Sequence, residues 1–253
     1  MKAVILAGGK GTRLLPYTTV FPKPLVPLGE KPILDIIIHQ LSYYGFQEII
    51  LSVGYLGELI QAYFQNGNRK FPHINLTYIK ERQPMGTAGS LGLISELDET
   101  FLVMNGDVLT TMDYARFIAY HKSKGGILTI GMHPKRVKID LGVMETDAQG
   151  ILTSYREKPE NTYLVSMGIY AYEPNVLKYI KPDQYLDFPD LVLRLLENKE
   201  KVVGYPCNDY WLDIGRHEDY ARAQDEFEQM KDQFLPGVAI EFKGRQNVES
   251  SAI

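Results

Sequence analysis

The chain has 253 residues, 45% hydrophobic and 23% charged, with a formal net charge of -4. That composition fits an α/β domain with a substantial core and excludes a general attraction to nucleic acid or to an anionic membrane surface. A single cysteine, Cys207, leaves no internal disulfide and fits a cytoplasmic protein, and no apolar run is long enough for a bilayer span or a signal peptide.

Taken in order, Ala3 to Ala7 reads as a buried strand that breaks at Gly8-Gly9. Pro32 to Gly45 has a proline at its start, a glycine at its end and apolar residues at helical spacing, which predicts a helix. A strand follows over Glu48 to Tyr55, a helix over Leu56 to Gly67 and an alternating strand over Ile74 to Lys80. The next helix is expected from Thr87 to Leu97, then an apolar strand Phe101 to Asp107, a helix Met112 to Lys124 and a strand Ile127 to Gly131. The second half is richer in short strands, at Gly142 to Glu145, Ile151 to Glu157, Tyr163 to Tyr172 and Val202 to Tyr205. Helices are expected at Pro174 to Tyr179, Pro189 to Lys199 and His217 to Asp232.

Strands separated by helical patterns predict a Rossmann-like, mostly parallel sheet flanked by helices, with ligands at the carboxyl ends of its strands. No linker divides the chain. A single domain is expected over 1–235, with 132–235 a substrate-binding extension of the half formed by 1–131. Residues 236–253 are expected to form a short tail.

The segment Gly8 to Leu14, GGKGTRL, is a glycine-rich turn just past the first strand. Its backbone N–H groups can approach a polyphosphate closely because glycine lacks a Cβ. The spacing does not fit a P-loop, and Leu14 stands where a dinucleotide fingerprint needs glycine. Arg13 and Lys23 place two positive charges nearby, Lys23 held between Pro22 and Pro24. Each could instead be an ordinary surface or loop cation. Asp107 ends an apolar strand and Asp213 sits in WLDIG. Both could hold Mg²⁺, or serve as a turn aspartate and a helix N-cap respectively. The five histidines lack zinc-ligand spacing, and Gly89-Ser90-Leu91-Gly92 is one residue off a nucleophile elbow and reads as a helix opening.

The run GGKGTRLLPYTTVFPKPLVPLGEKPI resembles the signature of sugar-1-phosphate nucleotidyltransferases. The resemblance continues in order through PMGTAG (Pro84 to Gly89), NGD (Asn105 to Asp107), REKP (Arg156 to Pro159), SMGIY (Ser166 to Tyr170) and WLDIG (Trp211 to Gly215). It implies a glycosyltransferase-A-like nucleotidyltransferase fold with a smaller sugar-binding β extension. The implied reaction joins a nucleoside triphosphate to a sugar 1-phosphate with release of pyrophosphate. In that reading Arg13 and Lys23 are catalytic, and Asp107 and Asp213 hold Mg²⁺. Leu6, Ala7, Gly8, Gly9, Gly11, Thr12, Pro84, Gly86 and Thr87 bind the nucleotide. Asn105, Gly142, Glu157, Lys158 and Gly168 bind the sugar phosphate. Gly86 would leave room for the flat base, and Trp211 would pack either near the sugar or in the core.

The Gly-Thr-Ala-Gly form is most similar to mannose-1-phosphate guanylyltransferases, which implies GTP, although Gln83 keeps UTP, dTTP or CTP as alternatives. A glycosyltransferase of related fold is disfavoured because Asn105-Gly106-Asp107 replaces an Asp-x-Asp metal motif. A catalytically silent regulatory homologue is the alternative of another class. The resemblance also allows a homo-oligomer.

Overall fold

The computed structural model describes residues 1–65 and 70–237. Residues 66–69, which include the expected Asn-Gly end of the second helix, and 238–253 of the expected tail lie outside the described residues. In chain order the strands are β1 (Lys2–Ala7), β2 (Pro27–Leu28), β3 (Lys31–Pro32), β4 (Glu48–Val53), β5 (Asn75–Lys80), β6 (Phe101–Asn105), β7 (Val108–Thr110), β8 (Leu128–Lys138), β9 (Val143–Thr146), β10 (Leu152–Arg156), β11 (Glu160–Tyr172), β12 (Val202–Pro206) and β13 (Trp211–Asp213). The α-helices are α1 (Ile33–Tyr43), α2 (Gly57–Phe64), α3 (Gly86–Gly89), α4 (Tyr114–Lys124), α5 (Phe188–Glu197), α6 (His217–Gln229) and α7 (Lys231–Phe234).

Seven strands form one sheet in the order β12-β8-β11-β6-β1-β4-β5. β11 is antiparallel to both its neighbours, and the other six strands run one way. The carboxyl ends of β1, β4, β5 and β6 therefore share one edge. Alternation along the strands separates two cores. Ala3, Ile5, Leu51 and Met104 pack on the face covered by α1, α2, α4 and α6. Val4, Ile50, Val103 and Tyr172 pack on the face covered by α3 and α5. Asp113 caps α4 through Arg116 N, and Gly125, at φ 59, ends it. No helix among the described residues is long and apolar enough to cross a membrane.

Four expectations change. The helix expected over Thr87 to Leu97 is only the short α3 and a 3-10 turn at Ser90–Leu93. The segment 184–188 lies against it: Ala88 N and Gly89 N both donate to Leu186 O instead of joining a longer helical ladder. Gly89 ends α3, and Ser90-Leu91-Gly92 opens the 3-10 turn. The strand expected at Ile127 to Gly131 runs on to Lys138, because β11 pairs with it along its length. The helix expected over Pro174 to Tyr179 is 3-10. The ribbon of β7 with β13 was not expected at all.

Candidate active site

The site is assembled at the shared carboxyl edge. β1 ends at Ala7, and a Cβ on Gly54, at the end of β4, would fall 2.7 Å from Gly8 O. The two turns therefore pack backbone to backbone, and Tyr55 N donates to Gly8 O at 3.2 Å. Gly11 adopts φ +62, where an added Cβ would meet Thr18 and Lys23. Thr18 Oγ1 donates to Gly11 O at 2.8 Å, which locks the turn onto the next loop. Gly9 has open space on its Cβ side.

Lys23 opens a 3-10 turn, Lys23–Leu25, between two buried prolines. It is only 8% exposed. Its Nζ donates to Asp107 Oδ2, while Asp107 Oδ1 is buried and has no hydrogen-bond partner. The β7–β13 ribbon brings the second carboxylate to the same place: Asp213 pairs with Val108, and Ile214 N donates to Asp107 O at 3.1 Å. Asp213 is not a helix cap. Arg216 takes that position on α6, with its N–H donating to Asp219 Oδ2 at 2.9 Å. Burial chiefly, and then the Asp107 charge, push the Asp213 carboxyl above its ordinary range, against the opposing pull of Lys23 and Arg13.

An orphaned carboxylate oxygen beside a second carboxylate fits a hard divalent cation such as Mg²⁺. Among the described residues no group of three or more metal-ligating side chains forms. Mg²⁺ is commonly held by one or two carboxylates with substrate phosphates, so the pair suffices.

A cleft of about 410 Å³ is lined by Leu6, Ala7, Gly8, Gly9, Arg13, Lys23, Pro84, Gly86, Thr87, Asn105 and Asp107 among others. Gly11 and Thr12 are not among its lining residues; Gly11 shapes the turn from behind. Gly86 does line the cleft, but not to leave room for a base. At φ +75, its missing Cβ is the space taken by Leu186 O, 2.5 Å from where a Cβ would sit. Asp187 fastens this corner, since its Oδ1 accepts from Thr87 N at 3.1 Å and from Thr87 Oγ1 at 3.3 Å. Gln83 is exposed and does not line the cleft.

Glu81, which the sequence reading passed over, also lines this cleft. It stands one residue past β5, and its position at a strand's carboxyl end is the signal that could have found it. Its carboxylate accepts from Ser52 Oγ at 2.9 Å and from Met85 N at 3.2 Å. It also lies where a Cβ on Gly8 would be, 2.7 Å away. One side chain thus ties the glycine turn, β4 and the 84–87 corner together.

An adjoining cleft of about 530 Å³ is lined by Arg13, His133, Lys135, Trp211, Asp213 and Arg216, among others. Arg13 and the carboxylate pair therefore lie where the two clefts meet. Gly168 joins the sugar-side set to this region. It adopts φ +72 inside a β11 bulge, and a Cβ there would fall 2.6 Å from Asn105 Nδ2. Trp211 is half-buried beside it, with Nε1 donating to Met167 O at 2.8 Å. Gly142, Glu157 and Lys158 line neither cleft. They sit on an arm formed by β9, β10 and the outer halves of β8 and β11, where Tyr155 Oη donates to Glu157 Oε2 at 2.6 Å. Cys207 is buried, which pushes its thiol up to about 11 and leaves no thiolate nucleophile at neutral pH.

A glycine-rich turn, a buried lysine and paired carboxylates are set together at one edge of a mostly parallel sheet, an α/β arrangement with the chemistry to bind phosphates. The comparisons narrow that class. The family model described as Nucleotidyl transferase matches residues 2–230, and the chain belongs to that family. It is 34% identical over 243 residues to a UTP–glucose-1-phosphate uridylyltransferase of Synechocystis, covering 88% of this chain and 62% of that protein. It is 29% identical to a D-glycero-α-D-manno-heptose 1-phosphate guanylyltransferase of Aneurinibacillus thermoaerophilus, covering 90% of this chain and 99% of that one. Among solved structures, HddC from Yersinia pseudotuberculosis, complexed with GMP-PN, superposes with TM-score 0.67 at 28% identity, over 89% of this chain and 99% of that one. The chain spans about three fifths of the length of the first curated relatives it matches.

Proposed function

We propose that this chain transfers a nucleotidyl group from a nucleoside triphosphate, GTP above the others, to a sugar 1-phosphate, releasing pyrophosphate. The observation that carries the reading is the Lys23–Asp107 pair, with its orphaned Asp107 Oδ1, next to Arg13 and Asp213 at the junction of two clefts. A phosphate oxygen of the sugar phosphate attacks the α-phosphorus in line. The bond to the bridging oxygen breaks and pyrophosphate leaves with the electron pair. The nucleophile is already an anion, so no general base is needed, and the barriers are charge repulsion and alignment.

The chain's own residues address both barriers. The backbone N–H groups of Gly8 and Gly9, which line the cleft, would meet polyphosphate oxygens. The Arg13 guanidinium fork clamps the departing pyrophosphate. Lys23, held rigid between prolines, offsets the charge that gathers around the α-phosphate. Asp107 and Asp213 would hold Mg²⁺, which when bound supplies positive charge to the phosphate oxygens. That Arg13, Lys23, Asp107 and Asp213 are all in place weighs against a silent homologue.

The base preference rests on Glu81. An ionised carboxylate only accepts hydrogen bonds, and its two oxygens keep capacity beyond Ser52 and Met85. Guanine offers adjacent donors on its pairing edge, N1–H and N2–H₂. Uracil and thymine offer one N3–H between two carbonyl oxygens that a carboxylate repels. UTP is the second reading, favoured by the 34% identity to the Synechocystis uridylyltransferase.

The test is pyrophosphate release in Mg²⁺ buffer, with GTP, UTP, dTTP, CTP and ATP each crossed with mannose, glucose, galactose, N-acetylglucosamine and heptose 1-phosphates. The highest kcat/KM with GTP supports the reading. A preference for UTP replaces it with the uridylyl reading. Triphosphate binding without release for any pair removes the reaction.

A further inference from the structure

Helix α6 runs beside the segment that follows Arg13 and carries Lys23. Three of its side chains, His217, Tyr220 and Gln224, recur at helical spacing and so share one face. Each reaches the backbone of residues 15–29. His217 Nε2 stands 2.7 Å from Leu15 O, and a carbonyl only accepts, so this nitrogen carries a proton and donates it. Tyr220 Oη donates to Pro27 O at 2.8 Å, and Gln224 Nε2 donates to the same oxygen at 3.0 Å. Gln224 Oε1 accepts from Gly29 N at 3.0 Å. The Tyr17 ring is tilted against both His217 and Tyr220, with centroids 5.7 and 5.6 Å away.

The two ends of this contact differ. Pro27 O is held by two side chains of α6, whereas among the described residues His217 is the one side chain that donates to Leu15 O. Leu14 is fully buried and pins the backbone on one side. Beyond it, Leu15, Tyr17, Val20 and Phe21 are each at least half exposed, so apolar packing holds that stretch only weakly. Its anchors are polar: Thr18 Oγ1 on Gly11 O, before Arg13, and His217 on Leu15 O, after it. The head of Arg13 meets the same part of the molecule. A Cβ on Gly215 would fall 3.4 Å from Arg13 Nη1 and 3.6 Å from Asp213 Oδ2. The turn that opens α6 thus passes beside the guanidinium through Gly215, and α6 holds the backbone two residues past Arg13 through His217.

We propose that His217 is a positioning residue for Arg13. Its hydrogen bond to Leu15 O fixes the backbone from which the guanidinium fork reaches toward the phosphates it would clamp. A fork that holds two oxygens at once is sensitive to such placement, because both N–H···O bonds must align together. His217 need not touch substrate. The bond is exposed and contributes little to global stability. That pyrophosphate is the ligand of Arg13 rests on the proposed reaction; the grip of α6 on residue 15 does not.

Calorimetric titration of the full chain with pyrophosphate in Mg²⁺ buffer is the test. His217→Ala should weaken pyrophosphate binding about tenfold, melt as wild type does, and leave KM for the sugar 1-phosphate within about twofold. His217→Gln, whose amide nitrogen can stand where Nε2 does, should bind within about twofold of wild type, and His217→Asn, too short to reach Leu15 O, should not. In an Arg13→Ala background, His217→Ala should cost less than about twofold more, because a residue that acts through Arg13 has nothing left to position. Undiminished binding in His217→Ala, failure of glutamine to restore binding, or a full further loss without Arg13 overturns the proposal. A wild type that binds no pyrophosphate overturns it too. The titration needs no turnover. Pyrophosphate binding with the expected cycle, but no product from any substrate pair, would remove the reaction and leave the role of His217 standing.

Discussion

The cleft at the carboxyl ends of β1, β4, β5 and β6 and the arm from residue 133 to 166 are built on opposite terms. In the cleft, Lys23 is 8% exposed, Gly8, Gly54 and Gly86 each have neighbours closer than a Cβ allows, and Glu81 ties three wall segments together. In the arm, Glu157 and Lys158 are exposed, and the Glu157 carboxylate accepts from one tyrosine hydroxyl. The contrast teaches that the cleft, the proposed donor side, is set by folding, because buried contacts over-determine it, while the arm, part of the proposed acceptor side, is held by few contacts of its own.

Breaking the donor side should give the largest effects. Lys23→Ala is expected to lower kcat by about 10³-fold with triphosphate affinity within about threefold, because its charge matters most in the transition state. Turnover near wild type in a steady-state assay would remove Lys23 from the catalytic set. Next, Glu81→Gln adds an N–H donor that opposes guanine's donors, and should cut kcat/KM for GTP by about 10²-fold while affecting UTP less. Equal losses for both nucleotides would make Glu81 a structural brace alone.

Asp213→Asn separates function from stability. The folded state raises the Asp213 pKa, so its stability contribution is present below the ordinary carboxylate range and is lost as pH rises through the raised value. Ionised Asp213 is therefore a cost at neutral pH. The variant should lose Mg²⁺-dependent turnover while its Tm at pH 7 is no lower than wild type, because the cost of the buried charge is removed. A fall in Tm in a scanning calorimeter would contradict this.

The smallest effect lies away from both regions. Buried His121 bonds Thr129 and Glu173, and burial, outweighing Glu173, holds its pKa below the ordinary value. A depressed pKa means stability present above about pH 6.5 and lost as pH falls below it. Denaturant midpoints should decline across that range, and His121→Gln should flatten the decline. An identical slope in the variant would place the acid sensitivity elsewhere.

Much of the donor side was legible in the residues. The apolar run before Gly8, the helical spacing of 33–43 and the Asn-Gly-Asp after a buried strand are local signals, and β1, α1 and the β6 turn follow them. The resemblance carried Arg13, Lys23, Asp107 and Asp213 to positions that meet in space. Thr87 to Leu97 misled because its helical pattern yields to Leu186 O and Asp187, about a hundred residues away. Glu81 carried no motif of its own, since one acidic residue after a strand is ordinary until Gly8, Ser52 and Met85 surround it.

The sequence by itself determined most of the strands and helices, the glycine turn and the identity of the charged groups. Each depends on periodicity, on glycine's freedom at positive φ, or on the charge of one side chain, and all of these act over a few residues. Only the tertiary structure decided that Asp213 lies beside Asp107, that Glu81 faces the cleft and that Glu157 and Lys158 stand on an exposed arm. Those placements follow from sheet order and from the β7–β13 pairing of residues about a hundred apart, which no local pattern encodes.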